Sequence, residues 1–111
     1  MTIRQHDKGI TYARHLIELD RTVKRSQWPA VEPSNEERRT FIEREGIEEF
    51  GRWHLAIDTN HEEKDPTRYM LIFGDFRSVH RSAVAAAKLE AAQHGYDYVE
   101  RAANYLIYWL S

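Results

Sequence analysis

The chain has 111 residues, which is enough for one domain with its own hydrophobic core and too few for two ordinary domains. It contains no cysteine, which excludes disulfides, thiolate metal sites and cysteine nucleophiles. The net charge of −2 argues against a generally basic nucleic-acid-binding protein. Residues 1–9 lack the apolar stretch of a secretory signal, and no apolar run has membrane-spanning length. We therefore expect a cytoplasmic protein that does not enter a membrane.

The N-terminal part of the chain is predicted to hold a flexible start and one long helix. Residues 1–10 are expected to be a flexible N-terminus. Between Tyr12 and Val23 the apolar residues recur at spacings of four, three and four, which is one stripe of a helix. This spacing predicts a helix over residues 11–28. Pro29 should end it, because proline disfavours helical geometry in the residue before it.

A charged helix and a β-hairpin are predicted for the middle of the chain. Ser34 followed by Glu37 has the capping-box form, which predicts a surface helix over residues 34–46. Alternating apolar residues then predict strands over residues 52–58 and 68–73, joined by a polar, exposed loop. The first strand is expected to be half-buried, with a polar face toward solvent.

The last third of the chain is predicted to form an antiparallel pair of helices, over residues 78–94 and 97–110. Gly95 supplies a left-handed stop between them, and Asp97 with Glu100 has the form of a second capping box. Independent local signals agree on this hairpin, which makes it the best-supported element. The whole chain is therefore expected to be a single α+β domain with two N-terminal helices, a two-stranded antiparallel hairpin and a C-terminal helix pair.

Two apolar rows run along the last predicted helix. One consists of Val99, Ala103, Leu106 and Leu110, and the other of Tyr98, Ala102, Tyr105 and Trp109. Most of this helix should be core, but the two rows cover a broad arc, so part of it is expected to face another subunit or a partner. The candidate interface residues are Tyr105, Tyr108 and Trp109. A homodimer through this helix and a monomer stay equally open.

The junction between the second strand and the next helix is the most distinctive segment of the sequence. It holds Asp75, Arg77, His80 and Arg81, and Lys88 lies one heptad beyond Arg81. One interpretation is a site for an anion or a partner, formed by helix-start amides and the basic side chains. The other is structural: Asp75 caps the helix and the arginines pair with nearby carboxylates. The structural interpretation is favoured, and both stay open.

Catalytic and metal-binding patterns are weak. His54 and Asp58 share a strand face but lie roughly 13 Å apart along it, too far to bind one metal ion directly, and His61 follows in the loop. We predict no metal site and no cofactor. Ser78 and Ser82 flank a histidine at a spacing of two, which does not make an activated serine on a helix. The sequence thus offers no convincing catalytic constellation.

Scattered positions in the C-terminal half share a pattern with other proteins. They are Trp53 to Asp58, Arg68 and Tyr69, Gly74 to Phe76, Val79 to Arg81, Ala85 to Lys88, Ala92, Gln93, Tyr96, Ala102 and Ala103. This pattern resembles one in small uncharacterised bacterial and prophage-associated proteins. The resemblance implies a compact bacterial or phage accessory protein and transfers no catalytic residue.

We rank three functions from these observations. The leading hypothesis is a non-enzymatic module that binds an unidentified protein partner. The alternative is nucleic-acid binding through a local basic stripe formed by Arg77, Arg81 and Lys88. A small metal-dependent hydrolase that uses the histidines and the aspartate near the first strand ranks last.

Overall fold

A three-stranded antiparallel sheet packed against helices organises the structure, which is a computed structural model that describes residues 2–111. The strands are β1 (Ile3–Gln5), β2 (Thr22–Val23), β3 (His54–Asp58), β4 (Tyr69–Ile72) and β5 (Val79–His80). The helices are α1 (Asp7–Glu18), α2 (Trp28–Val31), α3 (Asn35–Glu45), α4 (Ile47–Gly51), α5 (Arg81–His94) and α6 (Asp97–Leu110), with a 3₁₀ turn at Pro66–Arg68. The predicted α+β class is confirmed.

The sheet has the order β1-β3-β4, so β3 is its central strand. The predicted antiparallel hairpin is formed by β3 and β4, with His54 opposite Ile72. On the other side of β3, Ile3 lies opposite Asp58. A separate pair of two-residue strands, β2 and β5, runs parallel, with Thr22 opposite Val79. The sequence patterns predicted neither β1 nor this parallel pair.

The prediction for the N-terminal part of the chain is wrong in two respects. Residues 1–10 are not a flexible start, because β1 joins the sheet and α1 already begins at Asp7. The helix predicted over residues 11–28 ends at Glu18, and Asp20 adopts a left-handed conformation with φ of 58°. The chain turns there because Thr22 and Val23 pair in parallel with β5. This pairing is between residues distant in the sequence, so local periodicity does not predict it.

Gly9 allows α1 to lie directly on the central strand. A Cβ at this position would sit 1.8 Å from the carbonyl oxygen of His54, so any other residue would push the helix away from β3. The imidazole of His6, just before α1, donates from Nδ1 to the same carbonyl over 3.1 Å. These contacts fix the N-terminal segment against the sheet.

The helix α2, which contains Pro29, was not predicted, whereas α3, α5 and α6 follow the predictions with local changes. The capping box of α3 is confirmed, since the Ser34 hydroxyl accepts from the Glu37 amide at 3.1 Å and the Glu37 carboxylate accepts in return at 3.0 Å. Gly46 ends α3 but also opens α4, which was not predicted. The predicted first strand loses residues 52 and 53, and β4 is shorter than predicted by one residue at each end.

The predicted C-terminal helix pair is present as α5 and α6, which pack against each other. Gly95 adopts the predicted left-handed conformation, with φ of 73° and ψ of 25°. The first helix starts at Arg81 and not at residue 78, because Val79 and His80 form β5. The expected Asp97–Glu100 box does not form, since Tyr96 is the N-cap of α6 and has no side-chain capping bond. No helix within residues 2–111 is long and apolar enough to cross a bilayer.

Strand β3 is covered on both faces, which corrects the expectation of a solvent-facing polar side. His54, Ala56 and Asp58 are all buried, and so is Leu55 on the other face. His54 donates from Nδ1 to the carbonyl oxygen of Phe50 over 3.0 Å and is 1% exposed. Burial, together with the nearby Arg38 charge, lowers the pKa of His54 to about 3.

The low pKa of His54 predicts an acid-sensitive fold. The unfolded imidazole takes up a proton near pH 6.5, whereas the folded one stays neutral down to about pH 3. Stability from this group is therefore complete above pH 6.5 and is lost as the pH falls through this window. Between about pH 8 and about pH 5, the free energy of unfolding should fall by roughly 2 kcal/mol more in the wild type than in His54→Asn. Urea unfolding at both pH values measures this difference, and parallel pH profiles would contradict it.

Candidate functional site

The predicted junction is a tight turn followed by β5, and Asp75 organises it. Its Oδ1 accepts from the backbone amides of Arg77 at 3.0 Å and Ser78 at 2.9 Å. Phe76, between Asp75 and Arg77, has a φ of 68°, which is rare for a residue other than glycine. Asp75 thus caps this turn and does not cap α5, whose N-cap is His80. The expected helix cap is wrong for that reason.

His80 is the buried centre of the junction. Its side chain is 5% exposed, and both ring nitrogens have partners. Nε2 lies 3.0 Å from Asp75 Oδ2, and Nδ1 lies 2.9 Å from the hydroxyl oxygen of Ser26. The Ser26 oxygen lies 2.8 Å from that of Ser82, and the indole of Trp28 packs over the imidazole at 5.4 Å. His80 therefore connects three segments and is not available to a partner at the surface.

The partners of His80 set the direction of these hydrogen bonds. An ionised carboxylate only accepts, so Nε2 carries the ring hydrogen and donates it to Asp75. In the neutral imidazole, Nδ1 is then the acceptor for the Ser26 hydroxyl, whose oxygen can accept from Ser82. Burial alone would raise the pKa of Asp75, but the hydrogen bonds from His80 and the Ser78 and Arg77 amides outweigh it and lower the pKa. Asp75 is held as a carboxylate.

Ser26 is the member of this hydrogen-bond chain that the sequence did not indicate. It is 54 residues from His80 and follows β2 in a segment that was predicted to be helical. The serines that lie close to His80 in the sequence are Ser78 and Ser82. No local signal in the sequence pairs Ser26 with His80, because their proximity depends on the parallel pairing of β2 with β5.

The basic residues of the junction are spread over different surroundings. The Arg77 side chain is exposed, and its backbone carbonyl accepts from the Arg21 guanidinium at 2.8 Å. Arg81 is half-buried at the first position of α5. Lys88 is also half-buried and donates from Nζ to the Asn104 side chain of α6 over 3.1 Å. Lys88 thus contributes to the contact between the two helices.

The two apolar rows of α6 have different environments. The row formed by Val99, Ala103, Leu106 and Leu110 is buried. The aromatic members of the other row are exposed, with Tyr98 at 71%, Tyr105 at 44% and Trp109 at 47%. Tyr108, on a neighbouring stripe, is 76% exposed. The three candidate interface residues therefore all lie at the surface.

Arg14 of α1 borders this aromatic surface. Its guanidinium lies 4.5 Å from the centroid of the Trp109 ring and donates to the hydroxyl of Tyr105. It also pairs with Glu18 at 3.4 Å, one turn further along α1. The charge of Arg14 is thus balanced, and its stem and guanidinium help to hold the two aromatic rings in place.

The weak metal candidates do not assemble. His61 lies 3.6 Å from Asp58 at the end of β3 and 3.4 Å from Asp65 in the following loop, so it bridges two carboxylates. His54 is buried beside Phe50 instead. Within residues 2–111, no group of three or more histidine, aspartate or glutamate side chains could hold a metal ion.

Comparisons of this chain with protein-family models, curated protein sequences and solved structures gave no match. The resemblance to small bacterial and prophage-associated proteins therefore stays a prediction, and the site is interpreted from its own geometry.

Asp75→Ala should destabilise the fold measurably. The substitution leaves two backbone amides and the buried Nε2–H of His80 without their acceptor, which predicts a loss of about 2 kcal/mol in the free energy of unfolding. Urea unfolding at neutral pH measures this change. Glu62→Ala removes an exposed carboxylate of the same charge and should change stability by less than about 0.5 kcal/mol. Equal effects of the two substitutions would contradict the role of Asp75.

Proposed function

We propose that this protein is a small, non-enzymatic interaction module that binds a second copy of itself through α6. The observation that supports the proposal is the exposed aromatic row of that helix, Tyr98, Tyr105 and Trp109, with Tyr108 beside it. Four large aromatic side chains on one surface helix exceed the scattered apolar exposure of an ordinary monomer. Tyrosine and tryptophan are also the residue types that dominate binding energy at protein interfaces.

The spacing of this row suits a helix as the partner. Tyr98, Ala102, Tyr105 and Trp109 recur at intervals of four, three and four, which is the seam along which two helices pack. The row extends for about 16 Å along α6, from the helical rise per residue. Ala102 in its middle adds little bulk and allows the helix axes to approach closely. A second α6 related by a two-fold axis presents the same seam.

The charges around the row favour protein over nucleic acid. Arg14 is paired with Glu18. Along α6 itself, Asp97 and Glu100 outnumber Arg101. Phosphate binding needs clustered, available cations, whereas a self-associating surface needs only to avoid a large charge of one sign. This near-neutral aromatic surface meets the second requirement.

The proposal predicts a concentration-dependent dimer that depends on the aromatic row. Sedimentation analysis from about 1 to about 300 μM should detect the dimer. Tyr98→Lys and Trp109→Lys should each weaken it by at least about 30-fold, the cost of losing an interface hot spot. Leu89→Lys is the matched control, since Leu89 is an exposed apolar residue on α5 outside the row, and it should leave the dimer unchanged.

A monomer at every concentration would contradict this proposal, as would equal weakening by the Leu89 control. Circular dichroism of each variant separates loss of association from loss of folding. Binding of nucleic acid by the monomer at low salt, lost in Arg81→Glu, would favour the basic-stripe alternative instead.

A second candidate function is supported by the hydrogen-bond chain from Ser26 through His80 to Asp75. A serine hydroxyl that donates to an imidazole held by a carboxylate is the arrangement of an activated nucleophile. In acyl transfer, Ser26 Oγ would bond to the acyl carbon, Nδ1 of His80 would take the hydroxyl proton, and Asp75 would stabilise the imidazolium. The imidazolium would then return that proton to the leaving group as its bond to the acyl carbon breaks. The half-buried Ser26 keeps some access to solvent.

This second candidate predicts covalent labelling of Ser26 by a fluorophosphonate, detected by peptide mass spectrometry. Ser26→Ala should abolish the modification, whereas Ser78→Ala should retain it, because the Ser78 hydroxyl is not part of the chain. If Ser26 is not labelled in the folded wild type, it is not an activated nucleophile, and the Ser26–His80–Asp75 hydrogen bonds have only a structural role.

A further inference from the structure

The parallel pairing of β2 with β5 brings cations from two distant segments of the chain beside each other. Arg77 and Arg81, from the predicted stripe, lie in the segment around β5. Lys88, the third member of that stripe, is engaged with Asn104 instead. The segment around β2 supplies three further cations. The five cations together form a basic surface, which consists of Arg21, Lys24, Arg25, Arg77 and Arg81.

The strand pair determines how close these cations lie to one another. Lys24 directly follows β2 and Arg81 directly follows β5, at the same end of two adjacent parallel strands. Adjacent strands are about 4.8 Å apart. At the other end of the pair, the guanidinium of Arg21 donates to the carbonyl oxygen of Arg77 over 2.8 Å. All five cations lie within two residues of this strand pair.

The cations of the basic surface are available to a ligand. Four of them are exposed, and Arg81 is half-buried. Within residues 2–111, none of the five forms an ion pair with a carboxylate. The carboxylate of Asp75 is already occupied by two backbone amides and by His80. Asp20, the only other acid of the two segments, is exposed and also forms no ion pair.

The positive charge of this surface contrasts with the net charge of the chain. Residues 20–25 and 77–81 hold five cations and one carboxylate, in a chain whose net charge is −2. Arg77 lies at the acidic border of the surface, since the pKa of Glu37 is lowered mainly by hydrogen bonds with Ser34 and to a smaller extent by the charge of Arg77. The other four cations form its centre. Such a local concentration of charge attracts a polyanion to this side of the protein.

The surroundings of the basic surface favour a duplex over a single strand. Proteins that bind single-stranded nucleic acid offer exposed aromatic rings on which the bases stack. Here the neighbouring rings are engaged within the fold, since Trp28 is buried against His80 and Phe76 stacks on Phe41 with 4.3 Å between centroids. A duplex presents one phosphate per about 1.7 Å of its axis and can be bound through cations alone.

We propose that the basic surface binds the phosphate backbone of a double-stranded nucleic acid without reading its sequence. Lys24, Arg25 and Arg81 supply the phosphate contacts, and such contacts carry no information about the bases. The surface does not include α6 and does not need Ser26 as a nucleophile. It therefore stands or falls independently of the two functions proposed above.

Fluorescence anisotropy of a labelled DNA duplex of about 20 base pairs tests the proposal on the unaltered protein. At about 50 mM KCl the duplex should bind with a Kd of about 100 μM or tighter, and a duplex of unrelated sequence should bind within about twofold of it. Raising KCl to about 200 mM should weaken binding by at least about 40-fold, as expected for three phosphate contacts. Absence of binding at the lower salt, an affinity that does not depend on salt, or tighter binding of the single strand would each overturn the proposal.

Charge-reversed variants locate the surface. Arg25→Glu and Arg81→Glu should each weaken duplex binding by about tenfold and make its salt dependence less steep by about one counterion. Arg4→Glu makes the same change of charge at an exposed position of β1, in the other sheet, and should alter the affinity by less than about twofold. Circular dichroism checks that each variant is folded. If Arg4→Glu weakens binding as much as the other two, binding follows the overall charge and the assigned surface is wrong.

Discussion

The buried imidazole of His80 joins three segments that are far apart in the sequence. The ring forms hydrogen bonds with Ser26 after β2 and with Asp75 in the turn before β5. The backbone amide of His80 donates to the carbonyl oxygen of Phe73. The Val79 amide donates to the carbonyl of Arg21 in the same place. The start of α5 is therefore fixed by contacts that no single segment could provide. The position of α5 in turn sets where α6 can pack.

His80 also contacts Trp28, and Trp28 and His54 both line a cavity between α2, β4 and α5. The indole of Trp28 packs over His80 on one side and forms a wall of the cavity on another. Trp28 lies in the short helix α2, whose approach to α5 depends on the anchoring of Ser26 just before it. A polar network and a cavity thus share one aromatic side chain.

The sequence predicted the elements whose signals are local. The stop at Gly95, the capping box at Ser34 and the antiparallel β3–β4 hairpin depend on residues close together in the chain, and all three are present. Strands of two or three residues, such as β1 and β2, carry too little periodicity to be recognised and exist because of distant partners. The burial of His54 and the pairing of Ser26 with His80 escaped prediction for the same reason. Both are set by tertiary contacts that cover one face of a strand or bring two turns together.

The pairing of the strands also distributes the entropic cost of folding unevenly. Fifty-five positions separate Ile3 from its partner Asp58, and fifty-seven separate Thr22 from Val79. The α5–α6 hairpin, by contrast, closes through Gly95 and Tyr96 alone. The entropic cost of closing a long loop arises before the stabilising contacts between its ends can form. A helical hairpin, by contrast, gains contacts as it forms. The first twenty-three residues of this helix-rich protein therefore make long-range contacts of the kind that are typical of β-proteins. The strands β1 and β2 can form only when the chain is present as far as His80.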